Sequence, residues 1–223
     1  MNNMPEIKKT ERDLNGQFVI NFINKDDGKE FSRAFSELKA GIFWPLRGFP
    51  GYLCIAGLFS LTLFGKEDSL MLVYEKEYKN AIELMTDAYN RAADLRLQEF
   101  YTNVLLPGWK GYNFEFQRKI RTNLRARDIR LKGSPFADDF AYGKDVIKRL
   151  ASQKALLIPL NSLLMSQLRD IRPEDLQADR GEERFHAITG FRFPIVAWDY
   201  QVSAAARRGG PTNREEKSSL GWY

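Results

Sequence analysis

The sequence predicts an α/β domain in which helices flank a mixed central sheet. Short apolar runs typical of buried strands recur between residues 52 and 102. One interval between them, residues 77–95, has the apolar spacing of a long amphipathic helix. Beyond residue 107 the pattern is mainly helical, which would cover the faces of the sheet and give a fold of three layers.

Three strands are predicted before the long helix, at residues 52–58, 61–64 and 70–75. The turn residues 65–68 (GKED) separate the last two, which are therefore expected to form a hairpin. The predicted buried face of the helix consists of Ile82, Met85, Tyr89 and Ala92. Residues 99–102 (EFYT) follow as a strand, and a strand–helix–strand unit of this length implies parallel pairing through a right-handed crossover.

One strand and one helix are predicted nearer the N-terminus. Residues 17–24 (QFVINFIN) alternate enough for a short strand. A helix is expected next, because an apolar stripe follows with the spacing i, i+3, i+4 and i+7 at Phe31, Ala34, Phe35 and Leu38. Gly41 would end this helix.

The second half of the chain is predicted to be helical at residues 112–124, 139–153, 159–169 and 182–198, with a short strand at 155–158. Gly190 and Pro194 predict a kink or an early end in the last helix. We expect residues 1–16 to be a flexible arm, 17–200 a single domain and 201–223 a flexible basic tail.

The composition suits a globular domain with a modest basic excess. Hydrophobic residues make up 43% and aromatic residues 13%, which is enough to fill a core and unlike a disordered chain. The formal charge of +5 and the pI near 9.2 favour an anionic partner such as nucleic acid. The apolar stretch 52–64 is too short to cross a bilayer, and residues 1–10 are polar, so we expect a cytoplasmic protein without a membrane partner.

A single cysteine and a single histidine limit the available chemistry. Cys54 lies in an apolar run and is interpreted as buried filler, because burial raises the pKa of a thiol. One cysteine permits no intramolecular disulfide, which fits a reducing compartment. His186 is the only histidine, so zinc sites built from several Cys or His residues are excluded. No cofactor is predicted.

The basic segment 116–132 (FQRKIRTNLRARDIRLK) is the candidate nucleic-acid surface. On a helix, Arg118, Arg121 and Arg125 share one face, where they could contact successive phosphates without reading the base sequence. The residues assigned to such contacts are Arg118, Arg121, Arg125, Arg127, Arg130 and Lys132. An ordinary solvated helix face is the alternative.

Scattered acids offer an alternative metal site. Two-metal nucleases need three or four carboxylates that converge from separate elements, so that the cations lie about 3.5–4 Å apart. Asp138, Asp139 and Asp199 are the acids that would have to converge. Asp138 and Asp139 precede a predicted helix, where an acid can instead cap free N–H groups.

The order of the predicted elements resembles the RNase H-like superfamily, and within it the nuclease domain of phage terminase large subunits. The run 53–57 (LCIAG) looks like the family's first strand, which ends in a catalytic aspartate, and Ala56 stands at that position. The run 99–103 (EFYTN) looks like the strand that ends in the second acid, with Thr102 or Asn103 in its place.

The resemblance extends over residues 50–200 and includes a C-terminal motif. The run 185–193 (FHAITGFRF) is similar to the family's last helix, which carries the third acid, and Thr189 occupies the place of that acid. On this alignment the degenerate acid positions are Ala56, Asn103 and Thr189. Neither catalytic residues nor metal ligands are therefore assigned.

The resemblance implies a non-catalytic domain. Alanine cannot ligate Mg²⁺, and threonine or asparagine offers only a neutral oxygen, which does not balance two divalent cations. The expected role is binding to nucleic acid or to a protein partner, in phage or mobile-element DNA processing or packaging. A divergent metal-dependent endonuclease and a purely structural or adaptor protein are the alternatives.

Overall fold

A computed structural model describes most of the first 209 residues. The described residues are 5–14, 16–25, 27–45, 48–60, 68–97, 99–102, 118, 122, 130–133, 140–153, 155–176 and 181–209. The strands are β1 (Glu6–Arg12), β2 (Phe18–Ile23), β3 (Glu30–Phe35), β4 (Glu37–Phe43), β5 (Gly51–Ser60), β6 (Asp68–Tyr78), β7 (Glu99–Thr102), β8 (Arg130–Gly133) and β9 (Leu156–Leu157). The helices are α1 (Ala81–Leu95), α2 (Phe140–Ser152), α3 (Leu163–Asp170), α4 (Gly181–Arg184) and α5 (His186–Gly209), with a 3-10 turn at Pro173–Leu176.

The central sheet has six strands in the order β8-β7-β4-β5-β6-β9. Strands β4, β5 and β6 form an antiparallel meander, and α1 then crosses over to β7, which pairs parallel to β4. Strand β8 pairs parallel to β7. Counted from β4, the first five strands of this sheet therefore have the order 3-2-1-4-5, in which the second strand alone runs antiparallel. A mixed sheet flanked by helices confirms the predicted fold class.

The two faces of the central sheet support two separate cores. Side chains alternate along a strand, so Ala40 and Ile42 of β4 face α1, where Leu84 is buried. Phe43 of β4 points to the opposite face and shares a cluster with Phe191 of α5. Helices α2, α3 and α5 cover this second face, which gives the three layers expected from the sequence.

A small antiparallel sheet of β1, β2 and β3 is anchored to the first face. Its main anchor is Phe35, which is fully buried and meets Phe59 of β5 edge to face. The Phe35 ring also lies directly against Gly57, where a Cβ atom would overlap it. Phe35 thus occupies space left free by a glycine, and it joins Ile20 and Phe22 of β2, which are buried in the same core.

The predicted helix over residues 31–41 is wrong, because this segment forms β3 and β4. Phe31 and Phe35, four residues apart, share a face in a strand as well as in a helix, so the spacing did not discriminate. After the bend at Ser36 the alternation resumes one residue out of phase, with Leu38, Ala40 and Ile42 in one core. Pairing of β4 on both sides, with β5 and with β7, decides the conformation.

Helix α1 exists as predicted, but its buried face is shifted by one residue. Ile82 was expected inside and is 66% exposed. Asn80 is the N-cap, and its side chain accepts a hydrogen bond from the Glu83 N–H. The buried residues are instead Ala81, Leu84, Ala88, Ala92 and Leu95. Three alanines face the sheet because they let the helix approach it closely.

Other predicted elements are found with altered limits. The strand at 99–102 is confirmed as β7, and α2, β9 and α3 lie where two helices and a short strand were predicted. The expected N-terminal arm contains β1, and α5 continues through Pro194 to Gly209, past the predicted domain end. The strand candidate at 61–64 lies outside the described residues.

Replacement of Phe35 by alanine tests the anchor of the small sheet. Because Phe35 is fully buried, the Phe35→Ala change should lower the free energy of unfolding by about 3–5 kcal/mol in urea denaturation. Phe31 is the control: it is 36% exposed and stacks on Phe22, so Phe31→Ala should cost about 1 kcal/mol. Equal losses would show that Phe35 is not the anchor.

Candidate functional site

The candidate site is the carboxyl edge of the parallel strands, which comprises Gly41–Phe43 of β4, Tyr101–Thr102 of β7 and the first turns of α5, His186–Gly190. In register, Gly41 lies beside Tyr101 and Ile42 beside Thr102. Ligands in open α/β sheets bind outside the carboxyl ends of the strands. Acids from three elements would meet here if the chain carried a two-metal centre.

The three degenerate acid positions do not all lie at this edge. Ala56 is on β5, where it pairs with Lys39 of β4. Thr189 is fully buried on α5, and its hydroxyl donates to the Phe185 carbonyl at 3.1 Å. Thr102 is buried at the end of β7, and Asn103 lies outside the described residues.

The first core strand meets α5 with no side chain between them. A Cβ atom on Gly41 would overlap the Gly190 carbonyl oxygen and lie 2.6 Å from Cδ of Pro194. The Cys54 thiol lies 3.7 Å from the carbonyl oxygens of both glycines. Burial raises the pKa of this thiol well above its ordinary value, which confirms Cys54 as a buried structural residue.

A carboxylate near the edge is used to cap a helix. Glu75 of β6 is buried and accepts hydrogen bonds from the N–H groups of Leu163 and Leu164, at 2.6 and 3.1 Å, which begin α3. The Tyr52 hydroxyl donates to the same carboxylate at 2.7 Å. Glu75 therefore links β5, β6 and α3 rather than facing an open cleft.

The only histidine completes this polar network. Gln167 of α3 accepts through Oε1 from the N–H groups of Ala187 and Ile188 at the start of α5. Its amide nitrogen consequently faces Nδ1 of His186 at 3.3 Å, so Nδ1 is the acceptor. The Nε2–H group then donates to Glu77 at 2.8 Å. Neutral His186 with its proton on Nε2 therefore forms hydrogen bonds with both Gln167 and Glu77.

The described residues at this edge do not fit a pair of divalent cations. Glu77 and His186 are two adjacent groups, whereas such a centre needs three or four carboxylates. No group of three His, Cys, Asp or Glu side chains suited to a metal occurs in the described part of the chain. Asp138 and Asp139 lie outside it, and Asp199 is described only as part of the α5 backbone.

The basic candidates are described in part. Arg118 is helical and exposed, and Arg130 is exposed on β8 at the edge of the sheet. Lys132 forms an ion pair with Oε1 of Glu99 at 2.5 Å, so its charge is compensated. Burial would raise the pKa of Glu99, but Lys132 outweighs this and the pKa is lowered. Arg121, Arg125 and Arg127 lie outside the described residues.

Sequence reasoning missed the residues that shape this edge. Gly41 was interpreted as a helix end, and Glu75, Glu77 and Gln167 were not singled out. A glycine inside an apolar strand is a usable signal, because it often marks close approach of another backbone. The helix caps supplied by Glu75 and Gln167 join residues far apart in the chain, so no local sequence pattern predicts them.

The chain was compared with known proteins. No family model matches, and no curated protein matches either. The large terminase nuclease from thermophilic phage G20c with bound zinc is 11% identical, with a TM-score of 0.49 over 88% of this chain and 94% of that chain. Its magnesium-bound structure is 10% identical, with a TM-score of 0.48 over 84% and 92%.

A third solved structure is the yeast mitochondrial Holliday junction resolvase Ydc2. It is 12% identical, with a TM-score of 0.38 over 76% of this chain and 83% of that chain. These similarities do not transfer an activity to this chain. None of the described helices is long and apolar enough to cross a membrane.

Alanine at Gly41 tests the backbone contact between β4 and α5. Because a Cβ atom there meets backbone, Gly41→Ala should lower the free energy of unfolding by about 3 kcal/mol. Gly143→Ala is the control, since its Cβ would meet the Arg192 side chain at 2.6 Å and a gain in helix propensity of about 1 kcal/mol offsets part of the loss. A loss at Gly41 that is smaller than the loss at Gly143 in urea denaturation would contradict the close approach to the α5 backbone.

The pH dependence of stability tests the neutral state of His186. Burial lowers its pKa in the folded protein, and Glu77 only partly opposes this. The unfolded chain therefore binds the proton more readily, and stability should fall as the pH drops below about 6.5.

Denaturation at several pH values between about 7 and 5.5, above the range of ordinary carboxylates, isolates this effect. The His186→Gln variant is the control, because His186 is the only histidine and its removal should abolish the slope in this window. An unchanged slope in the variant would assign the effect to another group.

Proposed function

We propose that this chain is an RNase H-like domain that binds nucleic acid through the phosphate backbone and does not cut it. The observation that carries the non-catalytic part is the contact between Gly41 and the Gly190 carbonyl. In that position an acidic side chain on the first strand would overlap α5. The neighbouring carboxylate, Glu75, is engaged in capping α3.

Charge supports the binding part of the proposal. The chain carries a formal charge of +5, and seven of its basic residues fall in the segment 116–132 against one acid. Arg130 and Arg118 of this segment are exposed, and β8 borders the sheet, so a duplex could approach without obstruction from a further strand. Contacts of this kind depend on charge and not on base sequence. A role in phage or mobile-element DNA processing belongs to the same proposal.

Binding and cleavage are tested with the same DNA. Plasmid incubated with Mg²⁺ or Mn²⁺ should remain supercoiled, whereas gel shifts should show affinity that falls steeply as salt rises. Arg130→Glu should weaken binding about fivefold or more and reduce the salt slope by about one. Lys29→Glu is the control, because Lys29 is 82% exposed on the small sheet and paired with Asp27.

The outcomes separate the alternatives. Cutting that is abolished by Asp139→Ala would replace the proposal with a metal-dependent endonuclease. Affinity that ignores both salt and Arg130→Glu would remove nucleic acid as the partner and favour a structural or adaptor role. Equal effects of Arg130→Glu and Lys29→Glu would assign binding to net charge and not to the basic segment.

A further inference from the structure

A polar pocket lies at the amino edge of the parallel strands, opposite the carboxyl edge. Its volume is about 350 Å³, which is within the lower range of small-molecule sites. Two of its residues, Arg12 and Phe18, come from the small sheet. The central sheet and the end of α1 contribute Glu37, Lys39, Arg96 and Glu99. This amino-edge pocket therefore joins three elements of the fold.

Each of the two carboxylates in the amino-edge pocket accepts hydrogen bonds from two donors. Glu37 accepts from Lys39 at 2.9 Å through one oxygen and from the Trp198 indole N–H at 2.8 Å through the other. Glu99 accepts from Lys132 at 2.5 Å and from the Tyr101 hydroxyl at 3.1 Å. Lys39 therefore compensates the negative charge of Glu37, and Lys132 compensates that of Glu99.

The two arginines of the pocket have no such partner. Among the described residues, no carboxylate lies within 4.0 Å of Arg12 or Arg96. The Arg12 guanidinium lies 4.6 Å from the centre of the Phe18 ring, and this cation–π contact holds it beside the pocket. Two arginines with no carboxylate partner in the described part of the chain therefore line one cavity, Arg12 from β1 and Arg96 from the end of α1.

The backbone at Arg96 is also unusual. It adopts the left-handed conformation, with φ 51° and ψ 39°, at the C-cap of α1. Glycine is the residue that occupies this position without steric cost, whereas a larger residue is disfavoured there. The side chain of Arg96 lines the pocket. A binding role for its guanidinium group would explain why arginine occupies a position that favours glycine.

We propose that the amino-edge pocket binds a phosphate-bearing small molecule of about mononucleotide size. Arg12 and Arg96 would hold the phosphate, because a guanidinium offers a planar pair of donors that match two phosphate oxygens. Leu38 and Leu97 supply an apolar wall for the rest of the ligand. The basic segment adjoins this site through Lys132, which pairs with Glu99, but it supplies neither of the two arginines assigned to the phosphate.

Thermal unfolding of the full chain with added ligand tests the proposal. The probes are inorganic phosphate, adenosine monophosphate and adenosine, each at millimolar concentration. Phosphate-bearing probes should raise the unfolding temperature in a concentration-dependent way, because they bind the folded state alone. Adenosine should not. A larger effect of adenosine monophosphate than of phosphate would show that the apolar wall contributes, and equal effects would place recognition in the phosphate; both results support the site.

Arg96→Gly separates binding from folding. Glycine relieves the left-handed strain, so the unliganded variant should be as stable as the parent or more stable, while its affinity for phosphate falls tenfold or more. Arg12→Gln should lose affinity to a similar extent. Lys8→Gln is the control on the same strand as Arg12, since Lys8 is paired with Glu30 outside the pocket, and it should retain the effect.

Three results would overturn the proposal. One is the absence of any stabilisation by phosphate or adenosine monophosphate. Another is stabilisation by adenosine that equals that of its monophosphate, since the phosphate would then have no role. The last is an undiminished shift in Arg96→Gly or Arg12→Gln, because binding would then occur elsewhere on the chain.

Discussion

The contact between the backbones of β4 and α5 determines what the rest of this fold can do. Gly41 and Gly190 allow the first core strand and the last helix to touch without an intervening side chain. Phe43, Tyr52 and Cys54 then fill the surrounding space as a buried apolar cluster. The place where β4 and α5 meet is therefore packed as hydrophobic core.

Polar groups near this edge act on helix ends. Glu75 supplies a negative charge to the N-terminus of α3, and Gln167 of α3 in turn accepts from the first N–H groups of α5. His186, at the start of α5, donates a hydrogen bond to Glu77 of β6. Two helices are thus oriented on the sheet by side chains that accept hydrogen bonds from their N-terminal N–H groups. Loss of one partner would leave a buried polar group unsatisfied.

The sequence predicted the central part of this fold well and its beginning poorly. Strand β7 and helix α2 were found because their apolar spacing fits one element only. The segment 31–41 misled because Phe31 and Phe35 share a face in either a helix or a strand, and only pairing with β5 and β7 distinguishes the two. Because of this error, β4 was missing from the predicted sheet, and β5, which carries Ala56, was interpreted as the first strand of the domain.

The environment of a site residue could be predicted only where its contacts are with its neighbours in the sequence. Cys54 was correctly interpreted as buried, since its apolar neighbours in the chain remain its neighbours in the fold. Lys39 could not be foreseen, because its partners Glu37, Tyr101 and Trp198 come from three elements. The same holds for Arg12 and Arg96, which line one pocket only when the small sheet is docked.

Anomalous diffraction from crystals soaked in Mn²⁺ is the most direct test of the account. A closed carboxyl edge predicts no manganese peak between Phe43 and Thr189, even at high soaking concentration. Two strong peaks about 3.5–4 Å apart at that place would show that the edge opens and assembles a two-metal centre, which would contradict the account.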